Sequence, residues 1–135
     1  MIFLFIEESL FNILAPSIEE ARVLDLYSGT GSLGLESLSR GASSVDMVEN
    51  NRRSIQIISK NIQILKVQDL VTIHKEDVIL FLKDYVGEPF DIILIDPPFP
   101  SKICQATLEA LSQSSAFHAD SRIVIEHSRH EPLPE

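Results

Sequence analysis

Short apolar runs alternate with longer helical patterns along most of this chain, and this alternation constrains its fold more than any other feature. Strands separated by helices in this way form β-α units, which build a parallel sheet. One run, Asp91–Ile95, has no polar position after its first residue, as expected for a strand with both faces buried. We predict strands over Val23–Tyr27, Ser44–Glu49, Val71–His74, Phe90–Ile95 and Arg122–Glu126.

Helical patterns lie between these strands. Isoleucine or leucine recurs at three- and four-residue spacing from position 55 to position 65, so one face of a helix over Arg52–Lys66 can cover the sheet. The predicted fold is a single α/β domain over residues 1–135, with a Rossmann-like, doubly wound, mostly parallel sheet and helices on both faces. Further helices are predicted over Ser32–Arg40 with Gly41 as a left-handed cap, over Val78–Tyr85 and over Ile103–Ser112.

Composition limits the class of protein. With 135 residues, 44% of them hydrophobic and 23% charged, the chain suits one globular core. The apolar run Met1–Ile6 is far below the roughly 20 residues that span a bilayer and lacks the basic flank of a signal peptide. Cys104 is the single cysteine, so no internal disulfide can form and a cytoplasmic location is expected. The net charge of −9 argues against a broad basic face for nucleic acid.

The turn after the first predicted strand has the pattern of a ligand-binding loop. Gly29, Gly31 and Gly34 let the backbone approach a ligand, and the helix that follows offers free N–H groups. Their spacing also satisfies the G-x-G-x-x-G pattern of dinucleotide-binding proteins. Asp25, four residues before Gly29, favours S-adenosylmethionine over NAD, because a carboxylate can meet the ammonium of an amino-acid-bearing cofactor. A tight turn without a ligand is the alternative.

Two more acids follow the next predicted strands. Glu49 lies twenty residues after Gly29, where its carboxylate can accept hydrogen bonds from both hydroxyls of a ribose. Asp77 lies just beyond the third strand and could accept the adenine amino group, with Val78 beside the ring. The alternative interpretations are a solvated loop acid at Glu49 and a helix N-cap at Asp77.

The fourth predicted strand ends in Asp96-Pro97-Pro98-Phe99. Adjacent prolines lack N–H groups, so this turn presents hydrogen-bond acceptors. A base amino group is a poor nucleophile until acceptors hold its N–H bonds and turn its lone pair toward the methyl group, which Asp96 and the Pro97 carbonyl can do. Phe99 could stack on the target base. Neither a metal nor a covalent nucleophile is needed. A rigid turn with a core phenylalanine is the alternative.

Together these motifs resemble a known family. The order D-L-Y-S-G-T-G-S-L-G-L-E-S-L-S-R-G-A, then V-E-N, then D-P-P-F, is similar to that of the bacterial 16S ribosomal RNA (guanine-N2)-methyltransferases. The resemblance runs from about Glu8 to about Glu126, although D-P-P-F alone would also admit DNA amino-methyltransferases. It implies methyl transfer from S-adenosylmethionine to the exocyclic N2 amine of a guanine, with ribosomal RNA or the small ribosomal subunit as partner.

Carried over to this chain, the resemblance implies two groups of site residues and no metal. The target guanine would be held by Asp96, Pro97, Pro98 and Phe99. The cofactor would be bound by Asp25, Tyr27, Ser28, Gly29, Gly31, Glu49, Asn50, Asp77 and Val78.

Both ends depart from the family pattern. The family begins with a basic, proline-containing arm where this chain has Met1–Glu7, and such folds add two strands after the fifth. We therefore expect a domain truncated at one or both ends. The fifth strand, Arg122–Glu126, is then expected to be an exposed edge through which a homodimer could form.

Three readings of function stay open at this point: the RNA amino-methyltransferase, a catalytically silent cofactor-binding fragment of that family, and an NAD-dependent oxidoreductase. A DNA or other amino-methyltransferase is a variant of the first.

His127 and His130 lack a nearby cysteine for a metal site, and His74 and His118 show no partner at catalytic spacing. We expect Cys104 to be a buried side chain. A solvated helix face is predicted for Arg52, Arg53, Lys60 and Lys66.

Overall fold

A computed structural model describes residues 2–5, 15–97 and 101–126 of the chain. Its strands are β1 (Ile2–Phe5), β2 (Arg22–Leu26), β3 (Ser44–Glu49), β4 (Val71–Lys75), β5 (Ile92–Ile95) and β6 (Arg122–Glu126). They form one six-stranded sheet in the order β1-β6-β5-β2-β3-β4, with every neighbouring pair parallel. The predicted parallel α/β fold is confirmed.

The helices are α1 (Ser32–Ser39), α2 (Arg52–Leu65), α3 (Val78–Asp84) and α4 (Ser101–Ser112), each within one or two residues of its predicted bounds. Residues 15–18 are also helical, and Gln68–Leu70 forms a 3-10 turn. Local chemistry explains the ends of α2. The Asn51 side chain accepts a hydrogen bond from the Ser54 N–H at 2.9 Å, and Lys66 ends the helix in the left-handed conformation.

The sheet separates two apolar cores. Alternate residues of β2 point to opposite faces: Leu24 and Leu26 pack with α3 and α4, whereas Val23 packs with Ile58 and Ile62 of α2. All four residues of β5 are buried, which is the burial predicted from its uninterrupted apolar run. Helices therefore cover both faces, as predicted.

The expectation of an exposed edge at β6 is wrong. β1 pairs with β6 in parallel register, from Ile2 opposite Ile123 to Phe5 opposite Glu126. The N-terminal apolar run supplies the backbone groups that β6 would otherwise present to another chain, so the predicted homodimer through that edge loses its structural basis. Across residues 2–5, 15–97 and 101–126, no helix combines the length and apolar character needed to cross a membrane.

The direction of winding reverses at β2. From β2 the chain proceeds outward to β3 and β4, then returns to place β5 and β6 on the other side of β2. In such sheets the loops that follow the two central strands diverge and leave a crevice at their carboxyl ends. The residues after β2 and β5 are therefore the walls of the expected binding site.

Burial of α2 supports the first prediction. Ile58 is 0% exposed and Ile64, on the same helix, is 65% exposed. We expect Ile58→Ala to lower the free energy of unfolding by about 2–4 kcal/mol, because the lost side chain leaves a cavity in a packed core. Ile64→Ala is the control and should change it by less than about 1 kcal/mol. Urea denaturation followed by circular dichroism measures both, and equal effects would contradict the described packing.

Candidate cofactor and substrate site

A cleft of about 590 Å³ opens at the carboxyl ends of the strands. Loops after four strands contribute to it, and α4 forms one wall through Ile103 and Ala106. The structure thus brings together six residues that the sequence predicted for the site. These are Tyr27, Gly29, Glu49, Asn50, Asp77 and Asp96.

Five residues of the cleft lining were not predicted from the sequence. Asn51 and Ser54, at the start of α2, and Ile79, in the first turn of α3, line the cleft together with Ile103 and Ala106. Asn51 carried a usable signal, because an Asn before an amphipathic helix is a preferred N-cap and N-caps in this fold lie at the active edge. Ile103 and Ala106 carried none, because their placement depends on how α4 packs back across the sheet.

Glu49 ties two loops together. One of its carboxylate oxygens, Oε1, accepts a hydrogen bond from the Gly29 N–H at 2.8 Å, and the other, Oε2, accepts from the Asn51 N–H at 2.9 Å. The glycine turn after β2 is thereby fastened to the loop after β3. Since the Gly29 amide already serves a carboxylate, an anionic pyrophosphate at this turn would meet the Glu49 charge.

Tyr27 has an uncommon backbone conformation. Its φ is +62°, in the left-handed region that costs a non-glycine residue about 1–2 kcal/mol. The N–H groups of Tyr27 and Ser28 both donate to the Val48 carbonyl, at 3.1 and 3.3 Å, and this shared acceptor holds the turn. The phenol is half-buried and lies 2.7 Å from the Thr107 hydroxyl on α4.

Ser28 and Gly31 shape the turn from beneath and lie outside the cleft lining. The Ser28 hydroxyl donates to the Asp25 carbonyl at 2.8 Å. Gly31 has a φ of +81°, and a Cβ at this position would come within 3.2 Å of Ile58 and 3.3 Å of Met47. Glycine is therefore required here both by conformation and by close packing.

Asp25 lies below the turn and does not line the cleft. It is 1% exposed, Oδ2 accepts a hydrogen bond from the Gly34 N–H at 3.2 Å, and Oδ1 accepts none from the described residues. The pKa of Asp25 is raised to about 7, mainly by burial. The nearby Ser28 hydroxyl and the Gly34 N–H oppose the shift, and the charges of Asp96 and Glu49 add to it. Its predicted contact with a cofactor ammonium stays a prediction.

Asp77 has both of the roles considered for its position. Its Oδ2 accepts a hydrogen bond from the Leu80 N–H at 3.1 Å, so it is the N-cap of α3, and it also lines the cleft. Val78, beside it, is buried and lines a small adjoining cavity of about 30 Å³. The N-cap interaction leaves the other carboxylate oxygen of Asp77 available to a ligand.

The end of β5 brings Asp96 to the opposite wall. Asp96 is exposed and lines the cleft, and its N–H donates to the Leu26 carbonyl at 3.5 Å, which joins the ends of β5 and β2. Pro97 is buried. The predicted base-binding residues Pro98 and Phe99 lie outside the described residues.

Candidates outside the cleft mostly keep their predicted character. Cys104 is buried, the basic residues 52, 53 and 60 are exposed on α2, and residue 66 is exposed at its C-cap. His74 does have a partner, contrary to expectation: its Nε2 lies 2.7 Å from Asp46 Oδ2, because β3 and β4 pair side by side. His118 accepts from the Asp120 N–H within a turn. Among the described ranges no cluster of His, Cys, Asp or Glu could hold a metal, and His127 and His130 lie beyond them.

A doubly wound parallel sheet with an acid-lined cleft at its switch point defines the class of fold as Rossmann-like. The chain belongs to the family described as conserved hypothetical protein 95, which matches residues 5–135. The predicted family and its methyltransferase character are confirmed by the relatives that follow.

Relatives that carry the name ribosomal RNA small subunit methyltransferase D include proteins of Haemophilus influenzae and Escherichia coli. The protein of Haemophilus influenzae is 32% identical over 130 residues, which are 95% of this chain and 67% of the relative. That of Escherichia coli K12 is 33% identical over 129 residues, 96% of this chain and 64% of the relative. The solved structure of yhhF from Escherichia coli, provisionally named a methyltransferase, superposes with a TM-score of 0.84 at 34% identity, covering 95% of this chain and 71% of that one.

The buried Asp25 makes stability depend on pH. The pKa of Asp25 is about 7 in the folded chain and ordinarily 3.8. At a pH between these two values, the folded chain therefore retains a proton that the unfolded chain has lost. The contribution of Asp25 to the free energy of unfolding therefore falls as pH rises from about 4 to about 7, by at most about 1.4 kcal/mol per pH unit. Above about pH 7 it levels off.

Asp25→Asn cannot titrate, so the stability of the wild type relative to this variant should fall over that pH range. Urea denaturation of both proteins at intervals from pH 4 to pH 8 measures the difference. Asp69→Asn, at an exposed position, is the control. A difference between wild type and Asp25→Asn that stays constant with pH would contradict the buried, protonated carboxyl.

Proposed function

We propose that this chain transfers a methyl group from S-adenosylmethionine to the exocyclic N2 amine of a guanine in 16S ribosomal RNA. The observation that carries the proposal is the opposition, across one cleft, of the Glu49-fastened glycine turn and the exposed Asp96. The glycine turn suits a nucleoside cofactor, and the Asp96 carboxylate suits an amine. The names of the two relatives support ribosomal RNA as the substrate, and a ribosomal substrate implies a cytoplasmic location.

The residues of the cleft fit this cofactor. Its volume of about 590 Å³ is within the usual range of small-molecule sites. Glu49, Asp77 and Asp96 make the lining acidic, which favours a cofactor with a sulfonium and an ammonium and disfavours the pyrophosphate of NAD. Glu49 keeps lone pairs for ribose hydroxyls beside its two amide hydrogen bonds. When bound, S-adenosylmethionine supplies an activated methyl group on its sulfonium.

The opposite wall provides for the amine. A guanine N2 amine is nearly planar because its lone pair is delocalised into the ring. The exposed carboxylate of Asp96 and the carbonyl of Pro97 are acceptors for its two N–H bonds, and this pairing directs the lone pair away from the ring. These residues would assist methyl transfer in two ways. They align the amine with the methyl group, and the negative charge of Asp96 favours the transient positive charge on the nitrogen. By the family resemblance, Phe99 stacks on the base.

Two arginines at the start of α2 favour a polyanionic substrate despite the net charge of −9. Arg52 and Arg53 are exposed and lie in sequence between Asn51 and Ser54, which both line the cleft. Neither arginine makes an ion pair with a described residue. Cations in the first turn of a helix are disfavoured by the helix dipole, so a role in binding RNA phosphate gives a reason for their position.

Substitutions of Asp96 and Glu49 should impair different steps, methyl transfer in the first case and cofactor binding in the second. Asp96→Asn keeps the shape of the side chain but loses its charge and one acceptor oxygen, so we expect methyl transfer to fall by about 100-fold or more with little change in affinity for S-adenosylhomocysteine. Glu49→Gln should weaken that affinity about tenfold, because it loses the carboxylate that fastens the turn. Glu88→Gln, on a side chain 86% exposed, is the control.

Calorimetric titration and transfer of labelled methyl to 16S RNA and to assembled small subunits measure the two effects. Binding of the cofactor product by the wild type without methylation of either substrate would overturn the proposed activity and leave a silent cofactor-binding fragment. Methylation of DNA in preference to either RNA substrate would overturn the substrate class alone.

The arginine pair offers a separate test with a charge-matched control. We expect Arg52→Gln/Arg53→Gln to raise KM for RNA and to reduce the slope of log affinity against log salt by about 1 to 2 units. Lys60→Gln/Lys66→Gln removes the same charge farther along α2 and at its C-cap, away from the helix start where Asn51 and Ser54 line the cleft, and should change neither quantity. Filter binding across a salt series measures the slope. Equal effects of the arginine pair and the lysine pair would contradict a specific role for Arg52 and Arg53.

A further inference from the structure

A hydrogen bond joins α4, which forms one wall of the cleft, to the turn that follows β2. Ile103 and Ala106 contribute this wall, and the next residue, Thr107, is 0% exposed. The hydroxyl of Tyr27, which lines the cleft, lies 2.7 Å from the Thr107 hydroxyl oxygen, a contact between residues 80 positions apart in the sequence. The glycine turn after β2 and the helix that follows the Asp96 segment are thereby joined.

The direction of this hydrogen bond follows from counting protons. The Thr107 hydroxyl has one proton and donates it to the Ile103 carbonyl, 2.7 Å away in the preceding turn of α4. Thr107 is therefore the acceptor toward Tyr27, and the Tyr27 phenol is the donor. Burial raises the pKa of Tyr27, so the phenol keeps its proton at neutral pH. With its single proton committed, the ring of Tyr27 meets the cleft as a fixed surface.

Tyr27 is also held at its other end. Its left-handed backbone, with φ of +62°, is secured by the hydrogen bond from its N–H to the Val48 carbonyl of β3. A residue in a sparsely populated conformation persists where its surroundings determine it, and such residues concentrate at functional sites. Tyr27 thus connects β3, through its backbone N–H, to α4, through its side-chain hydroxyl.

We propose that Tyr27 is a positioning residue whose hydrogen bond to Thr107 sets the distance between the glycine turn and the α4 wall. The inference rests on the proposed function, because it concerns the cleft that function uses. It assigns the Tyr27 hydroxyl to alignment of the protein and leaves the ring as the part that meets the ligand. Loss of the bond loosens the α4 wall, and the cleft becomes less complementary to the cofactor without loss of the chemical groups.

The test removes the bond from each side. Tyr27→Phe deletes the donor and Thr107→Val deletes the acceptor with little change in volume, and both are combined in a double variant. We expect each single variant to weaken affinity for S-adenosylhomocysteine about five- to tenfold, as for loss of one neutral hydrogen bond, and the double variant to be no weaker than either. Where methyl transfer is measurable, KM for the cofactor should rise while kcat stays within about twofold.

Tyr85→Phe is the matched control. Tyr85 is the other tyrosine of the chain, and its hydroxyl donates to the Glu88 carbonyl at 2.6 Å, away from the cleft lining. Its loss should affect stability alone. Calorimetric titration of the purified chain gives the affinities, and urea denaturation verifies that each variant is folded.

Different results separate the possible roles. Unchanged affinity in both single variants would overturn the proposal and leave a structural bond. Weakening by Tyr27→Phe but not by Thr107→Val would overturn it in favour of direct contact between the hydroxyl and the ligand. A wild type that binds the nucleoside but methylates no RNA would overturn the proposed function, while the affinities would still decide the role of Tyr27.

Discussion

Parallel pairing of β2 with β3 on one side and β5 on the other is the constraint on which the rest of this structure depends. Parallel strands end at one edge of the sheet, so the residues that follow them are neighbours although they are far apart in sequence. The reversal of winding at β2 separates the loops after β2 and β5 and opens the cleft between them. Burial of β5 on both faces keeps this strand in the interior of the sheet, because a place at the edge would expose its apolar side chains.

The acids of the site divide according to their environment. Asp25 is buried beneath the turn, where desolvation favours the neutral carboxyl, whereas Glu49, Asp77 and Asp96 reach the cleft. Glu49 and Asp77 also accept backbone hydrogen bonds that organise a loop and a helix start. The same carboxylates therefore build the walls of the cleft and give it the negative potential that a cationic cofactor would meet.

Residue type and spacing were sufficient to predict most of the strands and helices. The apolar runs and the three- to four-residue periodicity predicted five strands and four helices to within two residues, because burial dictates which positions must be apolar. Glycine predicted the turn after β2, because Gly29 and Gly31 adopt positive φ values there. The position of β1 was not predictable: a short apolar run can fill any open edge, and its pairing with β6 depends on where that edge lies.

The sequence by itself determined the class of fold and the acids at the strand ends, since both follow from local preferences and from the order of the elements. The tertiary structure decided which polar groups meet. It gave Glu49 the Gly29 and Asn51 amides as partners, withdrew Asp25 from the cleft, and joined Tyr27 to Thr107. Hydrogen bonds act over about 3 Å, and contacts this short between distant residues depend on the packed orientation of whole helices and strands, which no local pattern specifies.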